Sequence, residues 1–237
     1  MIRWQIDMPR RHSSGAVVTS RDQVKNLIDT ALTRHGYTLD RKRPVRYGFG
    51  VIAKRIPATA SRRLYRIERI FVGSADPEIS QIMEQWSPKD LVEPNAVPGA
   101  GLNLSSATMT QVPSPVLGEA LAVYAISPIR VLEGNPSRTI LELGPKWEKA
   151  LNQTMTRRFD RPFHLHVIPD SFYIRSRHGD IVAKMAIKVK NDGYVVAYPG
   201  LVFPFVLTGP KRDLDIAWHS GLGSSTGMGF GCMEVAQ

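Results

Sequence analysis

The chain has 237 residues, 43% of them apolar, and a formal net charge of +10, which suits one large domain or two of roughly 100–120 residues each. Its one cysteine, Cys232, excludes an internal disulfide and a cysteine metal cluster. The lack of a long apolar run and of a signal-peptide core predicts a cytoplasmic protein without a membrane span. The charge is uneven, because residues 1–71 carry 16 Lys and Arg against 5 Asp and Glu, whereas the rest of the chain carries 15 against 16. This excess of cations in the first third predicts a polyanionic partner.

The start of the chain predicts a strand, a helix and a second strand. Residues 2–8 alternate between apolar and polar, which is typical of a half-buried strand. Ser20 and Gln23 form a capping box before a helix with an apolar stripe, and Gly36 suits its C-terminal cap. Residues 47–53 are rich in β-formers but include two glycines, which indicates a strand that something approaches closely. This order is the first half of a ferredoxin-like unit.

Residues 61–72 allow two interpretations. As a helix, they place Leu64, Ile67 and Phe71 on one face and arginines on the other. As a strand, they would place Arg69 on the apolar face, which breaks the alternation. We therefore favour the helix, followed by a second short helix from Pro77 to Trp86 with proline in its first turn. Together they predict a basic helical insertion over residues 57–95, before a Pro- and Gly-rich loop at 94–115.

The second half repeats the same order of elements without repeating the sequence. A strand interrupted at Pro128 precedes a helix that begins at Gly144 and Pro145, and another helix is expected over residues 208–218. Further strands are expected at residues 163–168, 171–176, 181–189, 194–197, 201–207 and 230–235. The sequence thus predicts an α+β protein with two ferredoxin-like (RRM-like) domains in tandem, residues 1–118 with the helical insertion and residues 119–237.

A glycine-rich turn precedes the last strand. Gly221 and Gly223 are followed, after five residues, by Gly229 and Gly231. Glycines allow a backbone to approach a ligand closely, and successive amide N–H groups in such a turn bind anions. The alternative is a tight turn without a ligand.

This glycine spacing resembles the pattern that ends the repeat-associated proteins of CRISPR systems, and the chain as a whole resembles the CRISPR repeat-processing endoribonucleases. The bend at Ser127-Pro128-Ile129 and the Arg43-Pro44 segment after the first helix agree with that family. The resemblance implies two ferredoxin-like domains and a catalytic histidine between the first helix and the second strand, where His35 lies. The basic insertion resembles the type IV branch, in which arginines replace the histidine.

Metal-independent RNA cleavage uses the RNA's own 2′-hydroxyl as nucleophile and leaves a 2′,3′-cyclic phosphate and a 5′-hydroxyl. Histidine suits the proton transfers near neutral pH, and arginine or lysine suits the charge that develops on the phosphate. We see no cluster of carboxylates for a metal, so we expect neither a metal nor another cofactor. The candidate catalytic residues are His35, Arg34, Arg21 and Tyr47.

The expected partners are CRISPR repeat RNA or guide RNA and other subunits of a CRISPR effector complex. The candidate RNA-binding residues are Arg10, Arg11, Arg41, Lys42, Arg43, Arg46, Arg62, Arg63, Arg66, Arg69, His219, Gly221, Gly223, Ser224, Ser225, Thr226 and Gly229. A non-catalytic RNA-binding subunit of an effector complex is the alternative function. A small-molecule phosphate enzyme fits less well, because the glycine turn precedes a strand and does not open a helix.

Overall fold

The computed structural model describes residues 1–9, 17–18, 20–40, 43–56, 64–92, 102–134, 137–189 and 194–236. The helices in these ranges are α1 (Arg21–Arg34), α2 (Pro77–Glu84), α3 (Pro145–Phe159), α4 (Ser171–Ser176) and α5 (Lys211–Ser220). The strands are β1 (Ile2–Asp7), β2 (Val17–Val18), β3 (Tyr47–Ile56), β4 (Leu64–Ser74), β5 (Thr108–Gln111), β6 (Ala120–Ala125), β7 (Leu132–Glu133), β8 (Arg138–Thr139), β9 (His166–Pro169), β10 (Val182–Val189), β11 (Val195–Leu201), β12 (Pro204–Thr208) and β13 (Met233–Val235). None of these helices has the length and apolar character needed to cross a bilayer.

The first unit has the order of a ferredoxin-like fold, with β1, α1, β3, β4, α2 and β5 as its six elements. In the antiparallel sheet β4 pairs with β3 on one side and with β1 on the other, and β1 pairs with β5. The short β2 extends the β1 side by pairing with the beginning of β4. Helix α1 packs its predicted apolar stripe into the core, with Val24, Leu27 and Leu32 fully buried.

The helix predicted over residues 61–72 is wrong, because residues 64–74 form the strand β4. In the register of β4 against β3, Ile52 pairs with Arg69 and the next residue, Ala53, pairs with Ile67. Glu68 is therefore an extra residue without a register partner in β3. This β-bulge moves Ile67 and Ile70 to the same buried face although they are three residues apart. A spacing of three mimics a helical stripe, which explains the mistake. The short helix that follows is confirmed as α2, with Pro77 at its first position; residues 57–63 and 93–95 of the predicted insertion lie outside the described ranges.

The second unit repeats the fold with β6, α3, β9, β12, α5 and β13. Its antiparallel sheet has the order β13-β6-β12-β9, and Trp147 and Leu151 of α3 fill its core. Two hairpins, β7-β8 and β10-β11, are inserted. The strand predicted at residues 171–176 is wrong: the segment is helix α4, and the Asp170 side chain caps it by accepting a hydrogen bond from the Tyr173 amide at 2.9 Å.

The fold class is therefore confirmed as α+β with two ferredoxin-like units in tandem. Each unit has its own apolar cluster: the buried residues of one run from Ile2 to Ala107 and those of the other from Val116 to Met233. The domain limit between residues 118 and 119 stays a prediction.

Candidate functional site

Glycines in β3 and β4 allow the two units to meet backbone to backbone. A Cβ on Gly48 would lie 2.3 Å from the carbonyl oxygen of Ser220, and one on Gly73 would lie 2.7 Å from that of His219. These distances are too short for any side chain. The close approach predicted for the strand at 47–53 is thus confirmed, and the approaching group is the end of α5 in the second unit.

The glycine turn is packed into this seam. A Cβ on Gly227 would meet Val45 at 2.8 Å, one on Gly229 would meet Phe49 at 2.8 Å, and one on Gly231 would lie 1.8 Å from the Leu222 carbonyl oxygen. The Thr226 hydroxyl donates to the Tyr47 carbonyl at 2.8 Å. Five backbone amides of the turn donate hydrogen bonds to carbonyl oxygens of the protein. The donors are Leu222, Ser224, Met228, Gly229 and Gly231. These five amides are therefore occupied within the protein, and the turn packs against Val45 and β3 of the first unit.

Arg158 of α3 holds the turn from the other side and was missed by sequence reasoning. Its guanidinium is buried and donates to the carbonyl oxygens of Gly221 at 3.0 Å and Gly223 at 3.1 Å. It also donates to those of Ser220 at 2.9 Å and Val45 at 3.3 Å. Burial lowers the pKa of Arg158 to about 9, so the group stays charged at neutral pH. The sequence did contain one signal that Arg158 is buried: it lies three residues after Met155, on the buried stripe of α3.

Arg3 makes the reciprocal connection from the first unit. Its guanidinium donates to the carbonyl oxygens of Trp218, at 2.8 Å, and Met233, and it stacks 3.9 Å from the Trp218 ring centre. Burial lowers the pKa of Arg3. Arg3 therefore joins the first unit to carbonyls of the second, whereas Arg158 holds three carbonyls of its own unit and reaches the first unit only at Val45.

Several predicted RNA-binding cations are already paired inside the protein. Arg46 forms ion pairs with Asp76, at 3.2 Å, and Asp160, and Arg69 donates to Asp7 at 2.6 Å. Arg43 is exposed and lies 3.4 Å from Asp40, and Arg66 is exposed on β4. Six further candidates lie outside the described residues: Arg10, Arg11, Arg41, Lys42, Arg62 and Arg63.

The remaining RNA-binding candidates in the second unit are largely covered. His219 is 7% exposed, and its Nδ1 lies 2.7 Å from the Asp215 carbonyl oxygen. Burial lowers the pKa of His219, which keeps its imidazole neutral. The side chain of Ser224 is 8% exposed, and the hydroxyl of Ser225 accepts from Arg130 at 3.0 Å. Gly221, Gly223 and Gly229 are buried.

The four candidate catalytic residues do not form one site. His35 follows the last residue of α1, and Arg21 is its first residue, so about 21 Å of helix separates them. Tyr47 lies between them and is buried, with its hydroxyl donating to Asp29. Burial, with the nearby Asp29 carboxylate, raises the pKa of Tyr47 well above its ordinary value, so this phenol retains its proton.

The C-terminal end of α1 carries a histidine–carboxylate pair. His35 Nε2 lies 3.2 Å from Asp90 Oδ1, and Arg34 donates to the Asp90 carbonyl at 3.2 Å. Burial raises the pKa of Asp90, but hydrogen bonds from Ser87 and His35 outweigh this effect and lower it. Near this end, burial and then the Asp76 and Glu78 carboxylates raise the pKa of Tyr37, while Arg46 acts in the opposite direction.

The N-terminal end of α1 opens into a cavity of 230 Å³ lined in part by Ser20, Arg21, Tyr65 and Lys184. Arg21 donates from Nη2 to the Val51 carbonyl at 3.1 Å. Its Nη1 is buried and has no hydrogen-bond partner within the described residues, which is unusual for a charged donor. Burial lowers the pKa of Arg21 to about 10, so it remains a cation. The α1 pocket, as we name this cavity, is thus a place where an anion can bind.

The sequence and the fold both match known proteins. The model of the family described as CRISPR associated protein Cas6, C-terminal, matches residues 112–235, which is more than half of the chain and includes the whole glycine turn. No curated protein matches the sequence closely enough to count as a relative.

Three solved structures illustrate the likeness in fold. A Cas6-related gene product from Pyrococcus furiosus has a TM-score of 0.64 at 15% identity, over 100% of this chain and 98% of that chain. A RAMP protein that binds different RNA substrates has a TM-score of 0.56 at 14% identity, over 100% of both chains. A Cas6 product complex has a TM-score of 0.55 at 11% identity, also over 100% of both chains. At these identities the likeness concerns the fold alone.

Proposed function

The chain belongs to the Cas6 family of CRISPR-associated proteins, and from this premise we propose that it is an endoribonuclease that processes CRISPR RNA. It binds the hairpin of the repeat, cleaves the precursor into mature guide RNA and keeps the product. The observation that carries the proposal is the family match over residues 112–235. The known RNA-binding protein and the product complex with the same fold support it.

The proposed reaction is metal-independent. The 2′-oxygen at the cleavage site attacks the adjacent phosphorus while the bond from phosphorus to the 5′-oxygen breaks. The proton of the 2′-hydroxyl passes to a base, and the leaving 5′-oxygen receives a proton. The products are a 2′,3′-cyclic phosphate and a 5′-hydroxyl, and no co-reactant is needed.

We place the reacting phosphate in the α1 pocket. The unpartnered Nη1 of Arg21 supplies a charged donor for the phosphate oxygens, and Lys184, exposed at the rim, adds a second cation. The Tyr65 hydroxyl is one proton-transfer group that the described lining offers, and the Lys184 amine is another. His35 Nε2 already has the Asp90 carboxylate as a partner, so His35 and Arg34 are the second choice for the chemistry.

The first experiment mixes the protein with repeat RNA in excess EDTA. We expect a single cut at the 3′ base of the hairpin, with a 2′,3′-cyclic phosphate on the upstream product. The absence of cleavage, or upstream products that end in free 2′- and 3′-hydroxyls, would contradict the proposed reaction.

The second experiment locates the site by single-turnover cleavage with matched variants. Arg21→Ala should slow cleavage about 10²–10³-fold, with a much smaller change in affinity for an RNA blocked by 2′-deoxy substitution at the cut. His35→Ala tests the other end of α1, and Arg177→Ala, an exposed arginine on the turn after α4, is the control. A large loss in His35→Ala alone would move the site to the His35–Asp90 pair.

One observation favours the alternative function, a non-catalytic RNA-binding subunit of an effector complex. None of the described residues that line the α1 pocket is a histidine, so the proton transfers there lack the imidazole that suits them best near neutral pH. The same EDTA assay separates the two functions, because the alternative predicts tight binding of repeat RNA without any cut.

A further inference from the structure

Two adjoining cavities lie on either side of Arg157, on the exposed face of α3. The first has a volume of 290 Å³ and lies between α3, the segment before β3 and the glycine turn. The second has a volume of 450 Å³ and lies between α3 and the β7-β8 hairpin. Arg157 and Ser224 line both cavities, so the two lie side by side; together we name them the α3 groove and call each cavity a chamber.

The second chamber is polar and basic. Lys149, Gln153 and Arg157 line it at intervals of four residues along α3, which spans about 12 Å. Lys149 and Arg157 are exposed and have no ion pair within the described ranges. The Arg157 Nε donates only weakly, to the Gln153 carbonyl of its own helix at 3.4 Å. The long side chains of these two unneutralised cations can both reach phosphates of one nucleic-acid strand.

The first chamber has mainly apolar walls, formed by Pro44, Val45 and Met228. Its volume is at the small end of ligand pockets, which suits one nucleobase. Thr154, which is 5% exposed, also lines it. The Thr154 hydroxyl is buried without a hydrogen-bond partner in the described part of the chain, and such groups are rare unless a ligand or water completes them.

The groove lies beside the α1 pocket, and helix α1 connects the two. Lys25, which is ion-paired with Asp29, lines the apolar chamber and lies one helical turn after Arg21, which lines the α1 pocket. About 6 Å of helix therefore separates the two residues, a distance that one nucleotide of an extended strand spans. A single strand of RNA that left the α1 pocket along this helix would pass Lys25 and then reach Arg157.

We infer that the groove is a binding site for one unpaired nucleotide, with the base in the apolar chamber and the adjoining phosphates on Arg157 and Lys149. This inference rests on the proposed function for the identity of the ligand as RNA, and it adds a base-selective contact apart from the cleavage chemistry. Unpaired bases are where proteins read RNA sequence, because their edges and faces are accessible.

The test measures binding of labelled single-stranded oligo(A), oligo(C), oligo(G) and oligo(U), each about eight nucleotides long, without any cleavable repeat. The native protein should prefer one base by about tenfold, which is the scale of one well-made base contact. Arg157→Ala and Lys149→Ala should each weaken all four oligonucleotides by about tenfold and reduce the salt slope by about one. The matched control Arg177→Ala removes an exposed arginine elsewhere and should change binding by less than about twofold.

The base-reading chamber is tested separately by Thr154→Val, which keeps the shape and removes only the hydroxyl. We expect the preference among the four bases to fall to about twofold or less, while the salt slope and the melting temperature are maintained. An Arg157→Ala protein that binds like Arg177→Ala would overturn the phosphate site. A Thr154→Val protein with the native base preference would overturn the base-reading site.

These outcomes are independent of the cleavage assay. If the variants change oligonucleotide binding as expected but the protein does not cut repeat RNA, the nucleotide site is supported and the endoribonuclease proposal is rejected. If the protein cuts repeat RNA normally but the Arg157 and Thr154 variants bind oligonucleotides like the native protein, the endoribonuclease proposal is supported and the nucleotide site is rejected.

Discussion

Arg157 and Arg158 are neighbours in α3, yet one is exposed beside an open groove and the other is buried in the seam between the two units. A helix turns by about 100° per residue, so adjacent side chains face different surroundings. The guanidinium of Arg158 meets four carbonyl oxygens, whereas Arg157 has one long hydrogen bond to its own helix. The same residue type is structural in one place and available for a ligand in the other.

The comparison extends to the predicted RNA-binding residues. Arg46 and Arg69 resemble Arg158, because ion pairs within the protein already occupy them. Arg21 lies between the two classes, since one of its two terminal nitrogens is bonded to the protein and the other is unpartnered within the described residues. A count of cations in a sequence therefore overestimates the number that can meet RNA.

The largest expected effect comes from a glycine of the seam. Gly231→Ala places a Cβ 1.8 Å from the Leu222 carbonyl oxygen at a φ of +67°, so both the backbone strain and the clash oppose folding. We expect a loss of about 5 kcal/mol in the free energy of unfolding, or no soluble protein. Gly179→Ala is the matched control, because its φ is +79° but the space around its Cβ is open, and it should cost about 1 kcal/mol. Equal urea midpoints for the two variants would contradict a packing role for the turn.

Arg158→Met should have the next largest effect. It leaves the carbonyls of Ser220, Gly221 and Gly223 without their buried donor, and we expect a loss of about 3–5 kcal/mol in urea unfolding. Arg157→Met should change the same quantity by no more than about 0.5 kcal/mol. A small effect of Arg158→Met would mean that water or a rearranged backbone replaces its hydrogen bonds.

The third prediction compares a free arginine with a paired one. Arg157→Ala should reduce affinity for repeat RNA by about tenfold and the salt slope by about one, with stability maintained. Arg46→Gln should lower stability by about 1–2 kcal/mol, because Asp76 and Asp160 lose their ion pair with the guanidinium, and leave the salt slope unchanged. Filter binding at several salt concentrations measures both slopes, and a reduced slope in Arg46→Gln would place that residue on the RNA.

The smallest expected effect is a pH dependence from Tyr47. Its pKa in the folded protein is raised well above the ordinary value near 10, so the folded state keeps a proton that the unfolded state loses above that pH. Stability should therefore fall as the pH rises above 10, and this contribution disappears in Tyr47→Phe. Between pH 9 and pH 11, we expect the free energy of unfolding to fall by about 1 kcal/mol less in the variant than in the native protein. Parallel pH profiles would show that Tyr47 ionises normally in the folded protein.

Local patterns in the sequence predicted much of the fold. The capping box at Ser20 and the apolar stripe after it defined α1, and the Gly144-Pro145 pair located the start of α3. The order of the elements predicted two ferredoxin-like units, and the glycine spacing predicted the family. Each of these signals is contained in about 20 residues or in the order of elements, which needs no knowledge of distant contacts.

The candidate site was less predictable, because its parts come from distant positions in the chain. The catalytic candidates were chosen by residue type, and α1 holds two of them at opposite ends. The α3 groove was missed altogether, since the second half of the chain has no excess of positive charge. Arg157 acquires significance only because the glycine turn forms the opposite wall of the apolar chamber.

The sequence by itself determined the helices with clear caps, the two-unit architecture and the family, since periodicity and turn chemistry act over short ranges. Only the tertiary structure decided that residues 64–74 form a bulged strand, that the glycines join the units, and which arginines remain free. The physical reason is that a guanidinium is neutralised or exposed according to what folds against it. Arg3 finds its acceptor at Met233, 230 positions along the chain, and no local pattern records such a contact.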